Sequence, residues 1–380
     1  MKYFLCFTLL LFCYFTGEAQ FNVSFKLGKY PLTNDSIFIA GNFNGWNPHN
    51  SPYSFSKANE INLQLAAGSY EFKCTGGSWK KAECKANGSD IENRRFTVNG
   101  DTTIIVNIEA WKDDFPETPK QHTASKQVHI IDTAFFIPQL NRTRRIWIYL
   151  PEVYAKSKKS YPVMYMHDGQ NLFDAYTAGF GEWGVDECLD SLIKAGKPAC
   201  IVVGIDNGPR RLNEYNPYEF EQFGKGEGDQ YLEFLVKTLK PYIDAQYRTL
   251  PSKENTIIAG SSMGGLISFY AMLQYPGVFG KAGIFSPAFW TAPYIKTVTG
   301  TLADKLAGKF FFYIGEPEGE TYVKDMTDVQ EILGEKSDAM IYSVTDPESR
   351  HNEQAWRKWF PEFYNWIMAD GFNNIIKVDK

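Results

Sequence analysis

The sequence has no excess of positive charge and no long basic run. Asp and Glu number 44 against 39 Lys and Arg, which gives a net charge of −5 at pH 7, and the isoelectric point is near 5.7. Proteins that bind nucleic acids usually present a positive stripe to the phosphates. The charge balance therefore argues against a nucleic-acid partner.

Cysteine is scarce, and the absence of any Cys-x-x-Cys pair argues against a zinc ribbon. Two of the six cysteines lie in the first 13 residues, and the others are Cys74, Cys84, Cys188 and Cys200. An even number permits disulfides in an exported protein. Cys74 and Cys84 flank a Gly-Gly turn and are the better candidate pair. A Cys188–Cys200 pair is also possible, although a predicted helix and its loop separate the two cysteines.

Beyond the N-terminal segment, no stretch of the sequence reaches the ~18 consecutive apolar residues of a membrane-spanning helix. The N-terminus itself has a different pattern. Lys2 supplies positive charge, residues 4–15 are apolar, and Gly17 and Ala19 are small. This pattern predicts a signal peptide at residues 1–19, cut after Ala19, and hence a secreted or periplasmic protein without a membrane span. An uncleaved anchor is the alternative.

The chain has 380 residues, which is enough for two or three domains at ~100–200 residues each. Residues 20–112 contain short runs of β-forming residues separated by Gly, Asn and Pro, which predicts a small immunoglobulin-like β-sandwich. Residues 113–126 are polar and contain two prolines, which is typical of a linker. Residues 127–380 form the last predicted domain.

Apolar strands alternate with segments of helical period throughout this last domain. Such alternation predicts an α/β fold with a mainly parallel sheet and helices on both faces. The predicted helices are 230–247, 264–274 and 353–368, and the predicted strands are 145–150, 162–166, 200–205, 256–259, 282–285, 310–314 and 340–344.

A G-x-S-x-G motif occupies residues 260–264, directly after the predicted strand 256–259 and at the start of the next predicted helix. In this context the serine lies on a sharp strand-to-helix turn, which the flanking glycines make sterically possible. The N-terminus of the following helix favours a developing negative charge. We therefore predict Ser262 as a nucleophile. Its neighbour Ser261 is out of phase with the motif.

A serine hydroxyl is a weak nucleophile and needs a base. When a G-x-S-x-G serine works with an acid and a histidine, these follow it in the chain in that order. Of the five histidines only His351 follows Ser262, and it lies in a polar loop between a predicted strand and the last predicted helix. We therefore predict His351 as the base.

The acid that orients the histidine should follow the predicted strand 310–314. The next six residues, G-E-P-E-G-E, offer Glu316, Glu318 and Glu320. The spacing alone does not separate these three carboxylates.

An oxyanion hole needs two backbone N–H donors. Met263, directly after the nucleophile, supplies one, and the loop that follows strand 162–166 supplies the other from Gly169 or Gln170. His167 starts this loop, and we interpret it as a structural histidine beneath the turn. Other residues that reach the same edge, through packing or substrate contact, are Trp183, Arg211, Glu214, Tyr215 and Trp290.

Several segments together resemble the putative-esterase family of α/β hydrolases, which includes enterochelin esterases, esterase D, feruloyl and acetylxylan esterases and mycolyltransferases. The segments are Y-M-H-D-G-Q-N-L-F-D at 165–174, V-G-I-D-N-G at 203–208, the G-S-S-M-G-G run at 260–265 and H-N-E at 351–353. Members of the family carry a Gly-x-x-Asp or Gly-x-x-Glu acid after the late strand. Gly315 followed by Glu318 fits this pattern, so the resemblance implies Glu318 as the acid.

The first predicted domain resembles glycogen- and starch-binding carbohydrate modules. The matching segments are I-A-G-N-F-N-G-W-N-P at 39–48, G-S-Y-E-F-K at 68–73 and G-S-W at 77–79. The resemblance implies that Trp46, Lys73 and Trp79 contact a sugar, since flat aromatic faces bury the apolar face of a sugar ring. A purely structural role for Trp46 is the alternative.

The resulting hypothesis is an exported serine carboxylic-ester hydrolase that uses no metal or cofactor. The resemblance implies carbohydrate-linked esters, such as feruloyl or acetyl groups of plant polysaccharide, as substrates. Siderophore-ester hydrolysis is the alternative within the family. It would need a cluster of basic residues, and only Arg210 and Arg211 stand together near the site. A non-catalytic glycan-binding protein is the alternative from another class.

Overall fold

A computed structural model describes residues 20–31, 35–55, 59–116, 119–222, 224–369 and 376–379. The predicted signal peptide therefore lies outside the described residues. The chain divides into two compact units, one up to Thr118 and one from Pro119 onward, and the division falls within the predicted linker. Within the described part of the chain, no helix has both the length and the apolar character needed to cross a membrane.

The first unit is built from short strands with alternating burial. In the first strand, Val23 and Phe25 are fully buried while the residues between and beside them are more exposed, as expected for a strand with one face on a core. Its strands are β1 (Gln20–Leu27), β2 (Phe38–Gly41), β3 (Glu60–Ala66), β4 (Gly68–Thr75), β5 (Glu83–Cys84), β6 (Arg94–Val98), β7 (Thr102–Val106) and β8 (Ala110–Trp111).

Two three-stranded sheets of the first unit, in the orders β3-β1-β7 and β2-β4-β6, share one apolar core, and β5 pairs with β8. Phe25 from one sheet and Phe72 from the other meet edge to face at 5.2 Å between ring centroids. The predicted β-rich domain is therefore present as two packed sheets. The immunoglobulin-like strand order stays a prediction.

The predicted disulfide between Cys74 and Cys84 is wrong, because all four cysteines of the described chain are free thiols. Cys74 lies on β4 and points into the shared core, whereas Cys84 lies on β5, which pairs with β8 instead. Cys188 and Cys200 are likewise free. A Gly-Gly turn between two cysteines therefore did not place them on facing positions.

The second unit has a nine-stranded sheet in the order β17-β16-β15-β14-β13-β11-β12-β10-β9. Neighbours are parallel from β17 to β12, and β10 pairs antiparallel with both β12 and β9. The strands are β9 (Val128–Ile137), β10 (Arg142–Tyr149), β11 (Val163–His167), β12 (Ile201–Ile205), β13 (Thr256–Ser261), β14 (Lys281–Phe285), β15 (Lys309–Gly315), β16 (Met340–Asp346) and β17 (Ile376–Asp379).

Helices cover both faces of this sheet, so its central strands are buried on both sides and read as continuous apolar runs. Side chains of α2 and α9 pack on one face, and those of α4 to α8 pack on the other. The helices are α1 (Glu152–Lys156), α2 (Val185–Lys194), α3 (Arg211–Glu214), α4 (Gly228–Phe234), α5 (Lys240–Gln246), α6 (Met263–Gln274), α7 (Ile295–Leu302), α8 (Glu320–Lys336) and α9 (Glu353–Met368).

All seven strands predicted for this unit are present, with ends that differ by up to three residues, and the predicted α/β class is confirmed. The predicted helix at 230–247 consists of α4, a π-helical turn at Leu235–Leu239 and α5. Elements without a counterpart among the predicted strands and helices include β9, α7 and α8. In β9, four of the last five residues are partly or fully exposed, so the strand lacks the buried run that marks the central strands.

Candidate active site

Ser262 lies at the sharp turn between β13 and α6. Its backbone has φ 58° and ψ −121°, a conformation that residues with a side chain seldom adopt. Backbone hydrogen bonds to the end of β14 and to the residues that follow it hold this turn in place. Ser262 donates its N–H to the Phe285 carbonyl (2.9 Å) and accepts the Ala288 N–H on its own carbonyl (3.0 Å). The candidate nucleophile is thus fixed by backbone contacts to the next strand.

Two glycines of the G-S-S-M-G-G run at 260–265 are required by close packing. A Cβ on Gly260 would lie 2.9 Å from the Gly264 backbone, and one on Gly265 would lie 2.8 Å from the Phe285 carbonyl oxygen. The first turn of α6 therefore packs directly on the strand ends. Met263 is the first residue of α6, and amide groups in a first helical turn have no acceptor within the helix. Its N–H belongs to the positive end of the helix.

Glu318 and His351 are in direct contact, with 2.7 Å between Glu318 Oε2 and His351 Nδ1. Glu318 ends a single turn of 3-10 helix that follows β15, and its side chain is only 3% exposed, whereas that of His351 is 42% exposed. Of the three carboxylates left open by the spacing, Glu316 and Glu320 are exposed and Glu318 is buried. The geometry therefore brings Glu318 to the histidine.

Ser286, which the sequence analysis missed, completes the surroundings of the Glu318 carboxylate. Its hydroxyl donates to Glu318 Oε1 (2.7 Å), which also accepts the Gly315 N–H (2.9 Å). The same hydroxyl oxygen accepts from Trp356 Nε1 (3.0 Å). The Trp356 ring in turn meets the His351 ring edge to face at 5.2 Å. Ser286 directly follows the predicted strand 282–285, but a serine in that position is common and did not identify it.

The three candidate catalytic residues lie at one edge of the sheet. Ser262 follows β13, Glu318 follows β15 and His351 follows β16, and these strands are parallel neighbours in the order β13, β14, β15, β16. Carboxyl ends of parallel strands meet at the same edge. Ser286, after β14, links the set, since the residue before it holds Ser262 and its own hydroxyl holds Glu318.

Gln170 lies in a 3-10 turn, Gly169–Asn171, at the end of β11, which is the neighbour of β13 on its other side. Its side-chain oxygen accepts the Asn207 N–H (3.1 Å), and its carbonyl accepts from the Thr177 hydroxyl (2.7 Å). A Cβ on Gly169 would lie 2.8 Å from the Gly204 carbonyl carbon, so the turn rests directly on β12. The backbone amide of Gln170 therefore has a fixed position beside the end of β13.

An ion pair that the sequence analysis did not predict anchors this turn. Asp168 has φ 57°, and its carboxylate accepts from Arg211 Nε (2.7 Å), Arg211 Nη2 (2.8 Å) and Asn207 Nδ2 (2.6 Å). Burial raises the pKa of Asp168, but Arg211 and Asn207 more than offset it and hold the pKa below its ordinary value. The turn that carries Gln170 is thus anchored by an ionised aspartate.

His167 is buried beneath the same turn. Its Nδ1 lies 2.9 Å from the Tyr231 hydroxyl, and its ring packs on Tyr215 at 5.1 Å. Burial lowers the pKa of His167 to about 3, so the ring is neutral near pH 7. A fully buried neutral imidazole suits the structural role that we expected from the sequence.

Most of the other sequence candidates pack into the interior. Glu214 is fully buried and paired with Arg142 and Arg144, Tyr215 is fully buried, and Trp183 is buried against the Trp356 ring. Trp290 differs, since it is only half-buried. Glu353, which the analysis did not single out, lies beside the site, and burial raises its pKa.

Trp290 belongs to a row of aromatic side chains near the candidate nucleophile. It lies two residues beyond Ala288, whose N–H contacts the Ser262 carbonyl. Its ring lies 5.7 Å from that of Phe220 and 6.2 Å from that of Tyr322, and all three residues are half-buried. The row therefore offers flat apolar surface close to the end of β13.

In the first unit the structure brings Trp46 and Trp79 together. Their ring centroids are 6.3 Å apart, the planes are inclined by 39°, and both residues are half-buried. Trp46 has φ 57°, directly after Gly45 in the same left-handed conformation. Lys73 lies on β4, opposite Ala40 of β2, and is also half-buried.

We predict that Arg211→Met destabilises the protein by roughly 3–5 kcal/mol, because it leaves the buried Asp168 carboxylate without its cation. The matched control is the adjacent Arg210→Met. Arg210 is 51% exposed and 3.3 Å from Glu227, and such exposed pairs contribute about 0–1 kcal/mol. Urea unfolding followed by tryptophan fluorescence measures both. Equal losses for the two variants would contradict the anchoring role of the Asp168–Arg211 pair.

Comparison with known proteins supports the assignment of the fold and adds the family. The model of the family described as Putative esterase matches residues 137–364. Among solved structures, an IroE-like serine hydrolase from Shewanella oneidensis superimposes with a TM-score of 0.51 at 21% identity, covering 64% of this chain and 79% of that one. At this identity the likeness shows the shared fold.

Three relatives differ in how much of their length is matched. YbbA of Bacillus subtilis is 27% identical over 242 residues, which cover 59% of this chain and 92% of YbbA. An endo-1,4-beta-xylanase/feruloyl esterase of Xylanibacter ruminicola is 26% identical, covering 60% of this chain and 30% of that protein. The iron(III) salmochelin esterase of Escherichia coli is 25% identical, covering 40% and 34%.

The family match covers more than half of the chain, and it includes the strand-to-helix turn of Ser262 and the contact between Glu318 and His351. The chain belongs to the Putative esterase family and is an esterase of the α/β-hydrolase type.

Proposed function

We propose that this esterase uses Ser262 as nucleophile, His351 as general base and Glu318 as the acid that orients the histidine. The observation that carries the proposal is the 2.7 Å contact between Glu318 and His351 at the sheet edge where Ser262 follows β13. Because Glu318 engages Nδ1, the opposite ring nitrogen, Nε2, is the one that can accept the serine proton.

In the proposed reaction Ser262 Oγ attacks the ester carbonyl while His351 takes its proton. The Met263 and Gln170 amides donate hydrogen bonds to the oxyanion, and the positive end of α6 favours the same charge. His351 then gives its proton to the leaving alcohol, and an acyl ester remains on Ser262. Water, deprotonated by His351, releases the acid and restores the serine.

In the proposed reaction the Glu318 carboxylate stabilises the imidazolium that forms in both steps. Its carboxylate has fixed partners before the reaction starts, since Ser286 and Gly315 donate to Oε1 while Oε2 contacts the ring. Preorganised groups of this kind need no rearrangement when charge develops. This fixed arrangement supports Glu318 over its exposed neighbours Glu316 and Glu320.

As substrate we propose a carbohydrate-linked ester, such as a feruloyl or acetyl group of plant polysaccharide. The row of Trp290, Phe220 and Tyr322 supports an aromatic acyl group or a sugar ring beside the nucleophile. The relative that carries a feruloyl esterase name supports the same class. Export, which rests on the N-terminal pattern, fits a polymer that a cell meets outside its membrane.

A siderophore ester is the second candidate, and the salmochelin esterase among the relatives favours it. An anionic ferric catecholate needs cations that are available to it. Arg211 is engaged by Asp168 and Arg210 by Glu227, so both arginines that the sequence offered already have acidic partners. We therefore rank the carbohydrate ester first.

For the first unit we propose that Trp46, Trp79 and Lys73 bind glycan. The tilted tryptophan pair offers two aromatic faces, and the Lys73 ammonium can donate hydrogen bonds to sugar hydroxyls. Binding to the polymer would raise the local concentration of ester groups around the esterase unit.

We predict that the protein spanning residues 20–380 hydrolyses p-nitrophenyl acetate, methyl ferulate and acetylated xylan, and that Ser262→Ala lowers kcat by roughly 10⁴–10⁶-fold. Released acid measures the activity. The neighbouring Ser261→Ala is the control for the serine. If only a catecholate ester is cleaved, the substrate is a siderophore. If no ester is cleaved by the wild type, the esterase mechanism proposed here is wrong.

We expect Glu318→Gln to lower kcat by about 10⁴-fold with little change in KM, because the amide no longer holds the imidazolium. Glu316→Gln and Glu320→Gln are matched controls on the same loop. Both side chains are exposed, so both variants should keep wild-type activity. A loss of activity in Glu316→Gln together with an active Glu318→Gln would reassign the acid.

We predict that Trp46→Ala and Trp79→Ala each weaken binding to insoluble xylan or starch by about tenfold, since each removes one aromatic sugar contact. The variants are made in the Ser262→Ala background, so that hydrolysis does not alter the polymer. The control is Lys80→Ala, an exposed neighbour of Trp79. A wild type that binds neither polymer would leave the first unit with a structural role only.

A further inference from the structure

Three carboxylates lie together at the start of α2, away from the residues proposed for catalysis. One carboxylate oxygen from each of Glu182, Asp186 and Glu187 lies within 4.8 Å of the other two. Acidic residues in the first turn of a helix are common because they complement the helix dipole, and exposed acids do so without a further ligand. Asp186 differs from that ordinary case, since the residue is fully buried.

The buried oxygens of this cluster lack hydrogen-bond donors. Asp186 Oδ2 accepts the Ser125 N–H (2.7 Å), but Asp186 Oδ1 and Glu187 Oε2 are buried without a donor in the described chain. The Ser125 hydroxyl, which is not one of the carboxylates, is also buried there without a partner. Buried polar atoms are rarely left unpaired, and for two facing carboxylates the missing partner is either a shared proton or a bound cation.

The local charge indicates how much positive charge that partner should carry. Glu182 accepts from the Thr123 hydroxyl (2.6 Å) and from Arg357 Nη1 (3.2 Å), and Arg357 is the cation that contacts the cluster. Three carboxylates and one guanidinium leave two negative charges. The site therefore favours any ligand that brings positive charge.

We propose that Glu182, Asp186, Glu187 and the Ser125 hydroxyl bind one hard divalent cation, for which Ca²⁺ is the best match. All the donors are oxygens, which Ca²⁺ prefers, and two positive charges neutralise the site. Ca²⁺–oxygen distances are about 2.3–2.6 Å, so two oxygens on one ion can be up to about 5 Å apart. The three carboxylate oxygens lie within 4.8 Å of one another and are therefore close enough to bind one ion.

The cation would stabilise the segment that supports the candidate triad. Trp183 lies between the ligands in the sequence, and its ring packs on that of Trp356 at 5.6 Å. Trp356 donates to Ser286, which holds Glu318. A cation at Glu182 and Asp186 would therefore fix both ends of the short segment that carries Trp183. The inference does not depend on which ester the enzyme cleaves.

The test uses the chelator-treated protein of residues 20–380. We expect calorimetry to show one Ca²⁺ site, Ca²⁺ to raise the melting temperature, and Tb³⁺ luminescence sensitised by tryptophan to be displaced by Ca²⁺. Asp186→Asn, which keeps an acceptor for Ser125, and Glu187→Gln should each weaken binding by about 10–100-fold. Glu152→Gln, which changes an exposed acid of α1, is the control.

Two results would overturn the proposal. If millimolar Ca²⁺ produces neither heat nor a melting-temperature shift while Asp186→Asn raises the melting temperature, the carboxylates of Asp186 and Glu187 share a proton instead. If both variants bind Ca²⁺ as the wild type does, the ion binds elsewhere. Because Glu187 is only half-buried, its variant folds even if the Asp186 variant does not.

Discussion

The left-handed backbone at Ser262 is the constraint on which the candidate site depends. A non-glycine residue in such a conformation costs on the order of 1–3 kcal/mol and persists only where the surroundings enforce it. The enforcement comes from β14, whose Phe285 carbonyl accepts the Ser262 N–H, and from Ala288, which donates to the Ser262 carbonyl. The strained turn lets a single residue, Ser262, connect the end of β13 to the start of α6 at the sheet edge.

The same left-handed backbone conformation occurs at the ends of the neighbouring strands. Asp168 after β11 has φ 57° and Ser286 after β14 has φ 43°, so three adjacent strands, β11, β13 and β14, each end in a left-handed residue with a short polar side chain. Asp168 binds Arg211 and fixes the turn of Gln170, while Ser286 binds Glu318. Each turn therefore holds one group of the proposed reaction in a fixed position: the nucleophile, the turn of Gln170 or the Glu318 carboxylate.

The sequence predicted those parts of the site that depend on local pattern. The G-x-S-x-G motif carries its own turn, and a strand before it and a helix after it can be read from apolar periodicity, so Ser262 needed no tertiary information. Glu318 was not separable from Glu316 and Glu320 by spacing, because only packing against Ser286 and His351 distinguishes them. A resemblance to the family was needed at that point.

The remaining features depend on contacts between distant residues. Ser286 gave no signal, since a single serine after a strand is common and its two partners lie 32 and 70 positions away. The Cys74–Cys84 prediction failed for the same reason, because sequence separation does not say which sheet each strand joins. Local sequence patterns therefore could not predict which residues contact each other across the fold.

Most of the buried carboxylates that the structure describes follow one electrostatic rule, and Asp186 departs from it. A buried carboxylate is retained at low cost only where a cation or several donors compensate it. Arginine or lysine compensates Glu83, Asp168, Glu214 and Asp346. Asp174 and Glu318 each have several hydrogen-bond partners, including a histidine ring. Asp186 instead faces Glu187, whose charge opposes its own. A bound cation would give Asp186 the compensation that Arg94, Arg211, Arg144 and Lys358 give to four other buried acids.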